Sequence, residues 1–159
     1  MLIGAAAVAA GLSHQASARP SGEGPWAVEL FTSQGCSSCP PADALLGRLS
    51  MRPDIVALAY HVDYWDYIGW KDPFASRETT ERQRAYARVL KQRYVYTPEM
   101  VVDGIGHDTG RDPAPIEALL AKAQARSSRR ATPVLSRSIG GPITIKLDSF
   151  PLEGRRADV

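Results

Sequence analysis

The feature that most constrains the fold is a pair of cysteines, Cys36 and Cys39, placed between an apolar run and an amphipathic run. The first run, WAVELFT (26–32), has the β-branched and aromatic residues typical of a strand. The second, residues 41–51, carries apolar side chains at helical spacing. Another apolar run, IVALAY (55–60), follows. These runs predict a βαβ unit with parallel strands, and we expect both faces of its second strand to be covered.

Residues 76–94 predict a second helix, with Ser76 as its N-cap and Glu78 paired with Arg82 one turn later. An apolar stripe along this helix is expected to face the core rather than a substrate. The stripe consists of Tyr86, Val89, Leu90 and Tyr94.

A hairpin follows the second helix. Residues 99–103 read as a short strand, Asp103 and Gly104 as a tight turn, and residues 105–108 as the returning strand. The sequence therefore predicts two antiparallel strands at this point.

The last helix of the predicted domain begins at Asp112, an N-cap followed by Pro113 at the first helical position. Its buried face is expected to contain four apolar residues, Ile116, Leu119, Leu120 and Ala123. Farther on, apolar residues alternate over 143–147, which predicts a strand. The order of elements across residues 26–126 is thus β-α-β-α-β-β-α, an α/β class.

The C-x-x-C spacing suits a pair of thiols that opens and closes one disulfide. A thiolate is the attacking species, and a helix N-terminus lowers a thiol pKa through its free N–H groups and dipole. We expect Cys36 to face solvent as the nucleophile and Cys39 to point inward as the resolving thiol. A purely structural disulfide and a metal site are the alternatives, although so small a loop contributes only about 2 kcal/mol of stability.

The residues around the pair differ from an ordinary redox motif. Pro40 and Pro41 follow Cys39, and a residue before proline is pushed away from helical geometry. We therefore expect Cys39 and Pro40 to be extended and the helix to begin at Pro41, which would weaken its effect on Cys36. A buried acid beneath the thiols could take the proton from Cys39, and Glu29 is the one candidate. If Glu29 points outward instead, it is inert.

Thr97 and Pro98 precede the hairpin, where many disulfide-exchange folds place a cis-proline opposite the cysteines. Cis geometry costs only about 0.5–1 kcal/mol at such a bond. We predict a cis Thr97–Pro98 bond packed near the sulfur of Cys36; a trans proline that starts a strand is the alternative.

His61 and Asp63 follow the second strand, at the end where ligands gather in α/β sheets. With Cys36 and Cys39, His61 could complete a copper or zinc site. The interpretation we favour is that both side chains hydrogen-bond the neighbouring loop, with aromatic residues packed over it. Those residues are Tyr64, Trp65 and Trp70, and His107 is expected on the surface of the hairpin.

The N-terminus predicts export. Residues 1–12 are uncharged and apolar, and Ala16-Ser17-Ala18 has the A-x-A form of a signal-peptide cleavage site, although no Lys or Arg precedes the run. The run is shorter than the roughly 20 residues that span a bilayer, so we expect no stable membrane anchor. The predicted organisation is a signal peptide (1–18), a folded domain (19–126), and a linker with the start of a β region (127–159).

Composition limits the other functions. Nineteen basic and 17 acidic residues give a net charge of +2, too small to indicate nucleic-acid binding. The sequence contains no G-x-S-x-G, phosphate-loop or dinucleotide motif, so we expect no hydrolase triad and no bound cofactor.

Four strings carry a family resemblance. They are VELFTSQGCSSCPPAD (28–43), HVDYWDYIGWKDPF (61–74), RQRAY (82–86) and YTPEMVVDG (96–104). They resemble an exported bacterial family catalogued as domain of unknown function 1223, which implies a thioredoxin-like βαβ-αββα fold and export but no established substrate. Family members continue into more β structure, so we expect the C-terminal β segment here to be a truncated start of that region.

Together these patterns predict an exported, periplasmic or extracellular oxidoreductase that performs thiol–disulfide exchange. Cys36 would attack or be attacked, Cys39 would resolve, and Thr97 and Pro98 would shape the groove for a protein or small-thiol partner. Two alternatives stay open. One is a copper or zinc module that uses Cys36, Cys39 and His61; the other is a non-catalytic interaction domain on a thioredoxin-like scaffold.

Overall fold

The computed structural model describes residues 24–126, 133–137 and 140–147. These residues form two compact units, one within residues 21–128 and the other within residues 129–159. The predicted signal peptide and the first part of the predicted linker, residues 127–132, lie outside the described residues.

Over its described residues, 24–126, the first unit contains five strands, three α-helices and one 3₁₀ helix. In chain order they are β1 (Trp26–Thr32), α1 (Pro40–Leu49), β2 (Ile55–Val62), the 3₁₀ helix (Asp63–Ile68), β3 (Ala75–Ser76), α2 (Arg77–Val89), β4 (Glu99–Val102), β5 (Gly106–Asp108) and α3 (Pro113–Gln124).

The five strands form one mixed sheet in the order β3-β2-β1-β4-β5. β1 and β2 are parallel, as the βαβ pattern predicts, and Thr32 lies opposite His61 in their register. β4 runs antiparallel to β1, and β5 returns antiparallel to β4. This mixed α/β architecture is consistent with a thioredoxin-like fold. It confirms the predicted order of elements, to which the short strand β3 is an addition.

The predicted hairpin turn is confirmed by its backbone. Asp103 and Gly104 have φ angles of 47° and 65°, the left-handed values that a two-residue type I′ turn requires. Because glycine alone adopts such angles without steric cost, and aspartate is among the few other residues that tolerate them, the dipeptide determines where the chain reverses.

The main core lies between one face of the sheet and the helices α1 and α3. Alternate residues of β1 point into it, and the predicted helix positions supply the rest, with Leu119 at its edge. The buried side chains of this core include Trp26, Val28, Leu30, Leu45, Leu46, Leu49, Met100, Ile116 and Leu120. The 3.6-residue period of both helices was therefore a sufficient guide to their buried faces.

The opposite face of the sheet is only partly covered. Phe31, Val62 and Val101 are buried there beneath aromatic residues and α2. Val56 and Leu58, farther back on β2, are 42% and 37% exposed. The prediction that both faces of β2 are covered is wrong, because α2 lies over only the C-terminal end of that strand.

The helix α2 is shorter than predicted. Its N-cap is Ser76, whose hydroxyl accepts from the Thr79 N–H as expected, but it ends at Val89, and Lys91 has a left-handed φ of 56°. Val89 is 73% exposed and Tyr94 is 72% exposed, so half of the predicted apolar stripe faces solvent. The predicted end of the helix is wrong because apolar spacing does not show where a helix ends.

The described residues of the second unit, 133–137 and 140–147, contain a two-stranded antiparallel sheet of β6 (Pro133–Arg137) and β7 (Ile143–Leu147). β7 confirms the strand predicted from alternation. β6 falls in the segment interpreted as a linker, since no apolar alternation marks it in the sequence.

Candidate functional site

The two cysteines form a disulfide at the junction of β1 and α1. The Cα atoms of Cys36 and Cys39 are 5.5 Å apart, and Cys39 is the N-cap of α1. The turn that carries them is held by backbone hydrogen bonds: Cys36 N–H donates to Ser33 O, and Cys39 N–H donates to Cys36 O, at 3.0 and 3.2 Å. The fold thus places the pair at the carboxyl edge of the central strand.

The helix begins one residue earlier than predicted. Cys39 has helical angles (φ −78°, ψ −32°) and α1 starts at Pro40, so the expected extended geometry is wrong. Two hydrogen bonds from Ala42 N–H and Asp43 N–H to the Cys39 carbonyl, at 2.9 and 3.1 Å, offset the steric preference of a residue before proline.

These hydrogen bonds reduce the number of free backbone N–H groups that the N-terminus of α1 has for stabilising a thiolate. A helix N-terminus usually has unpaired N–H groups. Here the first two helical residues are Pro40 and Pro41, which have none, and the N–H groups of Ala42 and Asp43 already donate to Cys39. The start of α1 therefore has no free backbone donor to direct at a sulfur.

The disulfide is more buried than predicted. Cys39 is 0% exposed, as an inward thiol should be, but Cys36 is only 3% exposed, so the expectation that it faces solvent is wrong. The preceding residue packs under the 3₁₀ helix: a Cβ on Gly35 would lie 3.0 Å from Ile68 Cδ1 and 3.1 Å from Trp65 Cβ. A larger residue does not fit there unless the aromatic segment moves.

A buried aspartate that the sequence did not single out supports the same turn. The carboxylate of Asp72 accepts from Gln34 N–H at 2.8 Å and from Phe74 N–H at 3.0 Å, and it lies 2.6 Å from His61 Nδ1. Asp72 is almost fully buried. No sequence signal separates it from its acidic neighbours, since its role depends on a contact 38 residues away along the chain.

The environment of Asp72 changes its ionisation. Burial alone would raise the pKa of Asp72, but the hydrogen bonds from Gln34, His61 and Phe74 outweigh burial and hold this pKa below its usual range. Because the pKa is lower in the folded than in the unfolded protein, Asp72 stabilises the fold above about pH 4 and loses that effect as the pH falls through the folded value.

Asp72→Asn is therefore expected to make the acid-induced loss of stability less steep between about pH 4 and pH 2. The free energy of unfolding in urea, measured at a series of pH values, checks this. Glu81→Gln is the control, since Glu81 forms only an exposed pair with Arg84. Parallel pH profiles for the wild type and Asp72→Asn would contradict the assignment.

His61 and Asp63 occupy separate hydrogen-bonded positions. His61 Nδ1 is bonded to Asp72, whereas the Asp63 carboxylate accepts from Thr80 Oγ1 at 2.6 Å. Trp70 Nε1 donates to Gln34 Oε1 at 2.9 Å. His61 thus bonds the neighbouring loop, as the favoured interpretation predicted, whereas Asp63 bonds the helix α2 instead of that loop, and Trp70 is exposed. Among residues 24–126, 133–137 and 140–147, no three His, Cys, Asp or Glu side chains are grouped as metal ligands.

The Thr97–Pro98 bond is cis, which confirms that part of the prediction. Trp65 Nε1 donates to Thr97 Oγ1 at 2.8 Å. Since Trp65 also packs against the backbone of Gly35, it connects the Thr97 loop to the cysteine turn. Contact between Pro98 and the Cys36 sulfur stays a prediction.

A second buried network holds the residues on either side of that bond. Gln83, from α2, donates to Tyr96 O at 2.6 Å and to Glu99 Oε2 at 2.7 Å, and it accepts from Tyr64 Oη at 3.1 Å. Burial raises the pKa of Tyr64 to about 12, so this hydroxyl stays a donor at neutral pH. No pattern in the sequence indicates this role, because Gln83 lies in a polar stretch of α2.

The side chain of His107 contacts Tyr96 and Glu99, the residues that Gln83 also binds. Its Nδ1 is 2.7 Å from Tyr96 Oη and 3.5 Å from Glu99 Oε1. His107 lies on the hairpin as predicted and keeps 29% of its side chain exposed, but it is only half at the surface because its ring bonds Tyr96.

Glu29 is buried, but it does not serve the thiols. Its carboxylate accepts from Arg82 Nε at 2.6 Å and from Tyr86 Oη at 2.5 Å, on the face of the sheet that α2 covers. The hydrogen bond to Glu29 raises the pKa of Arg82. Arg82 is thus bonded to Glu29 instead of the predicted Glu78, and both oxygens of the candidate acid are occupied.

Comparisons with known proteins give a family match and a structural match. A family model described as "Protein of unknown function (DUF1223)" matches residues 27–159. An X-ray crystal structure of a protein from Agrobacterium tumefaciens has 45% sequence identity and a TM-score of 0.62, over 69% of this chain and 51% of that chain. The chain therefore spans about half the length of that protein.

No curated protein matches the chain. Within the part of the chain that the structure describes, no helix has the length and apolar character needed to cross a bilayer.

Proposed function

The chain belongs to the DUF1223 family, and we propose that it is an oxidoreductase that performs thiol–disulfide exchange through Cys36 and Cys39. The observation that carries the proposal is the disulfide itself, closed between residues three apart at the start of α1. A disulfide that spans so few residues restricts the unfolded chain little and contributes only about 2 kcal/mol of stability. A reversible chemical role accounts for its position better than a structural one.

The reaction needs no co-reactant beyond a thiol. The thiolate of a partner attacks Sγ of Cys36, a new S–S bond forms, and the Cys36–Cys39 bond breaks with its electron pair on Sγ of Cys39. Cys39 takes up the proton that the partner thiol has lost. Attack by a second thiol on the mixed disulfide then releases an oxidised partner and leaves both cysteines reduced, and the reverse sequence oxidises them.

Cys36 is the sulfur that we expect a partner to reach. It retains a small exposed fraction, whereas Cys39 has none. Its Sγ also lies 3.5 Å from the Ser38 hydroxyl. Since α1 offers no free backbone N–H at its start, Ser38 is the donor best placed to stabilise a Cys36 thiolate.

Ser38→Ala is expected to slow alkylation of Cys36 at pH 7 about fivefold, the effect of losing one hydrogen bond of about 1 kcal/mol to the thiolate. The rate with iodoacetamide, measured in a Cys39→Ser background so that one thiol reacts, checks this. Ser37→Ala, one residue away in the same turn, is the control. Equal rates for the two variants would show that Ser38 has no special effect.

The reaction itself is tested by equilibrating the purified protein with dithiothreitol and its oxidised form. Alkylation and mass measurement give the fraction of reduced Cys36 and Cys39. We expect reversible reduction of the folded protein, faster than that of a synthetic peptide of residues 33–43. A disulfide that opens only in denaturant would contradict the proposal, and stoichiometric zinc or copper in the reduced protein would favour the metal-binding alternative.

We also propose that the protein is exported, with cleavage after Ala18. The apolar N-terminal run and the A-x-A site support this, as does a disulfide that persists best in an oxidising compartment. Cell fractionation followed by N-terminal sequencing tests it. A mature protein that begins at Arg19 outside the cytoplasm is the expected result, and full-length protein in the cytoplasm is the contrary one.

A further inference from the structure

Four large apolar side chains are exposed within one short segment, residues 67–74. They are Tyr67 (80% exposed), Ile68 (48%), Trp70 (58%) and Phe74 (67%). Single exposed apolar residues are ordinary on a protein, whereas a group of them marks a surface that interacts with another molecule. These four residues are called the apolar surface below.

The apolar surface is attached to the two residues that precede Cys36. Trp70 Nε1 donates to Gln34 Oε1 at 2.9 Å, and Ile68 Cδ1 lies 3.0 Å from the position that a Cβ on Gly35 would take. Gly35 is bonded directly to Cys36, and consecutive Cα atoms are about 3.8 Å apart. The surface therefore begins one residue from the disulfide.

The other two members are held to the same turn through one neighbour each. Tyr67 stacks on Trp65 with the ring centroids 6.3 Å apart, and Trp65 Cβ lies 3.1 Å from the position of a Cβ on Gly35. Phe74 N–H donates at 3.0 Å to the carboxylate of Asp72, which also accepts from the backbone of the turn. Contacts within the fold thus gather all four side chains around the residues before the disulfide.

The apolar surface carries little charge. Lys71 is the one exposed charged side chain within residues 64–74. Asp72 is buried beside His61, and the carboxylate of half-buried Asp66 accepts from the Asp72 N–H at 3.2 Å. A charged partner would lose hydration here and gain little in return, so an uncharged partner with large apolar side chains is favoured.

The exchange reaction itself brings a polypeptide partner to this surface. A mixed disulfide holds the Cα atoms of its two cysteines about 4.4–6.8 Å apart. The residues next to the partner's cysteine then lie within about 11 Å of the Cys36 Cα, because each is one Cα–Cα step of about 3.8 Å farther. Gln34 and Gly35, which carry the apolar surface, lie in the same range. A small thiol has no side chains to cover that surface, whereas a polypeptide has them.

We propose that the apolar surface binds polypeptides with large apolar side chains next to the reacting cysteine, a proposal that rests on the proposed function. The partner's thiolate attacks Sγ of Cys36, and the Cys36–Cys39 bond breaks with its electron pair on Sγ of Cys39, which takes up the proton that the partner lost. The flanking side chains pack on Trp70 and its neighbours and hold the thiol in place for attack. Unfolded chains expose such side chains, whereas folded proteins bury most of them.

The test uses blocked pentapeptides in which phenylalanine, serine, glutamate or lysine flanks a central cysteine on both sides. The rate at which each opens the disulfide of the full chain is divided by its rate with a small dialkyl disulfide, which removes differences in intrinsic thiol reactivity. We expect a saturating rate for the phenylalanine peptide and a phenylalanine-to-serine ratio of about ten, the effect of partly burying an aromatic side chain. The glutamate and lysine peptides should stay within about twofold of serine.

Two double variants with matched exposure locate the effect. Tyr67→Ser with Trp70→Ser should lower the phenylalanine-to-serine ratio to about two. Met51→Ser with Val89→Ser removes two apolar residues that are 84% and 73% exposed but lie after α1 and at the end of α2, and it should leave the ratio near ten. A wild-type ratio near one, equal ratios in the two double variants, or a charged peptide that reacts fastest would overturn the proposal.

A phenylalanine-flanked peptide with serine in place of its cysteine separates the two proposals, because it can bind but cannot exchange. A saturable shift of the Trp70 indole N–H resonance, identified with Trp70→Phe, would support the apolar surface even if dithiothreitol fails to open the disulfide. Opening by dithiothreitol without that shift would refute the surface and leave the exchange reaction standing. A shift that follows protein concentration without peptide would show that a second copy covers the surface, which also refutes the proposal.

Discussion

Replacement of Cys36 by serine is expected to lower thiol–disulfide exchange below about 1% of the wild-type rate, because a serine hydroxyl cannot form the mixed disulfide on which exchange depends. Reduction of a fluorescent dialkyl disulfide by dithiothreitol, with catalytic amounts of protein, measures the rate. The double variant with both cysteines replaced gives the background.

The complementary variant, Cys39→Ser, is expected to trap the partner as a stable mixed disulfide on Cys36. The resolving sulfur is then absent, so the intermediate accumulates. Intact-protein mass measurement after mixing with an oxidised small thiol detects it, and peptide mapping locates the bond. An adduct trapped on Cys39 in the Cys36→Ser protein, together with no adduct on Cys36 in the Cys39→Ser protein, would reverse the assignment. That assignment is supported by the exposure of the two residues.

Gln83→Met is expected to destabilise the protein by about 3 kcal/mol. The buried amide makes three hydrogen bonds, two of them to the Tyr96 carbonyl and the Glu99 carboxylate, and both acceptors would lose a donor. Urea unfolding measures the difference. Arg84→Met, the next residue of α2, is the matched control, since its exposed pair with Glu81 should contribute less than about 1 kcal/mol.

The same substitution tests whether Thr97 and Pro98 belong to the site. Gln83 binds the residues on both sides of them, so its loss should displace the loop and slow exchange about tenfold if that loop shapes the partner groove. Under conditions where the variant remains folded, an unchanged exchange rate would exclude Thr97 and Pro98 from the groove.

Local patterns were enough to predict the main elements. β1 and α1 on either side of the cysteines, the Asp112 cap of α3 and the turn at Asp103 each depend on residues within a few positions of one another, and the structure confirms all of them. Short-range sterics and hydrogen bonding act in the same way in any fold, which is why the sequence reveals them.

Local patterns failed where a distant segment decides the outcome. The apolar spacing of Val89 and Tyr94 predicted that both are buried, but both are exposed. Val56 is exposed because α2 does not extend across the whole of β2. The start of α1 was misplaced for a related reason: the preference of a residue before Pro40 is weaker than two hydrogen bonds to its carbonyl.

The sequence by itself determined the α/β order, the position of a cysteine pair between strand and helix, and the family. The tertiary structure alone decided which distant residues support the turn that carries the pair: Asp72 accepts from Gln34 N–H, and Trp65 lies between Gly35 and Thr97. These contacts join residues tens of positions apart, and one carboxylate or tryptophan resembles another in a sequence. Only the packing of the chain determines which of them contacts the turn that carries the cysteines.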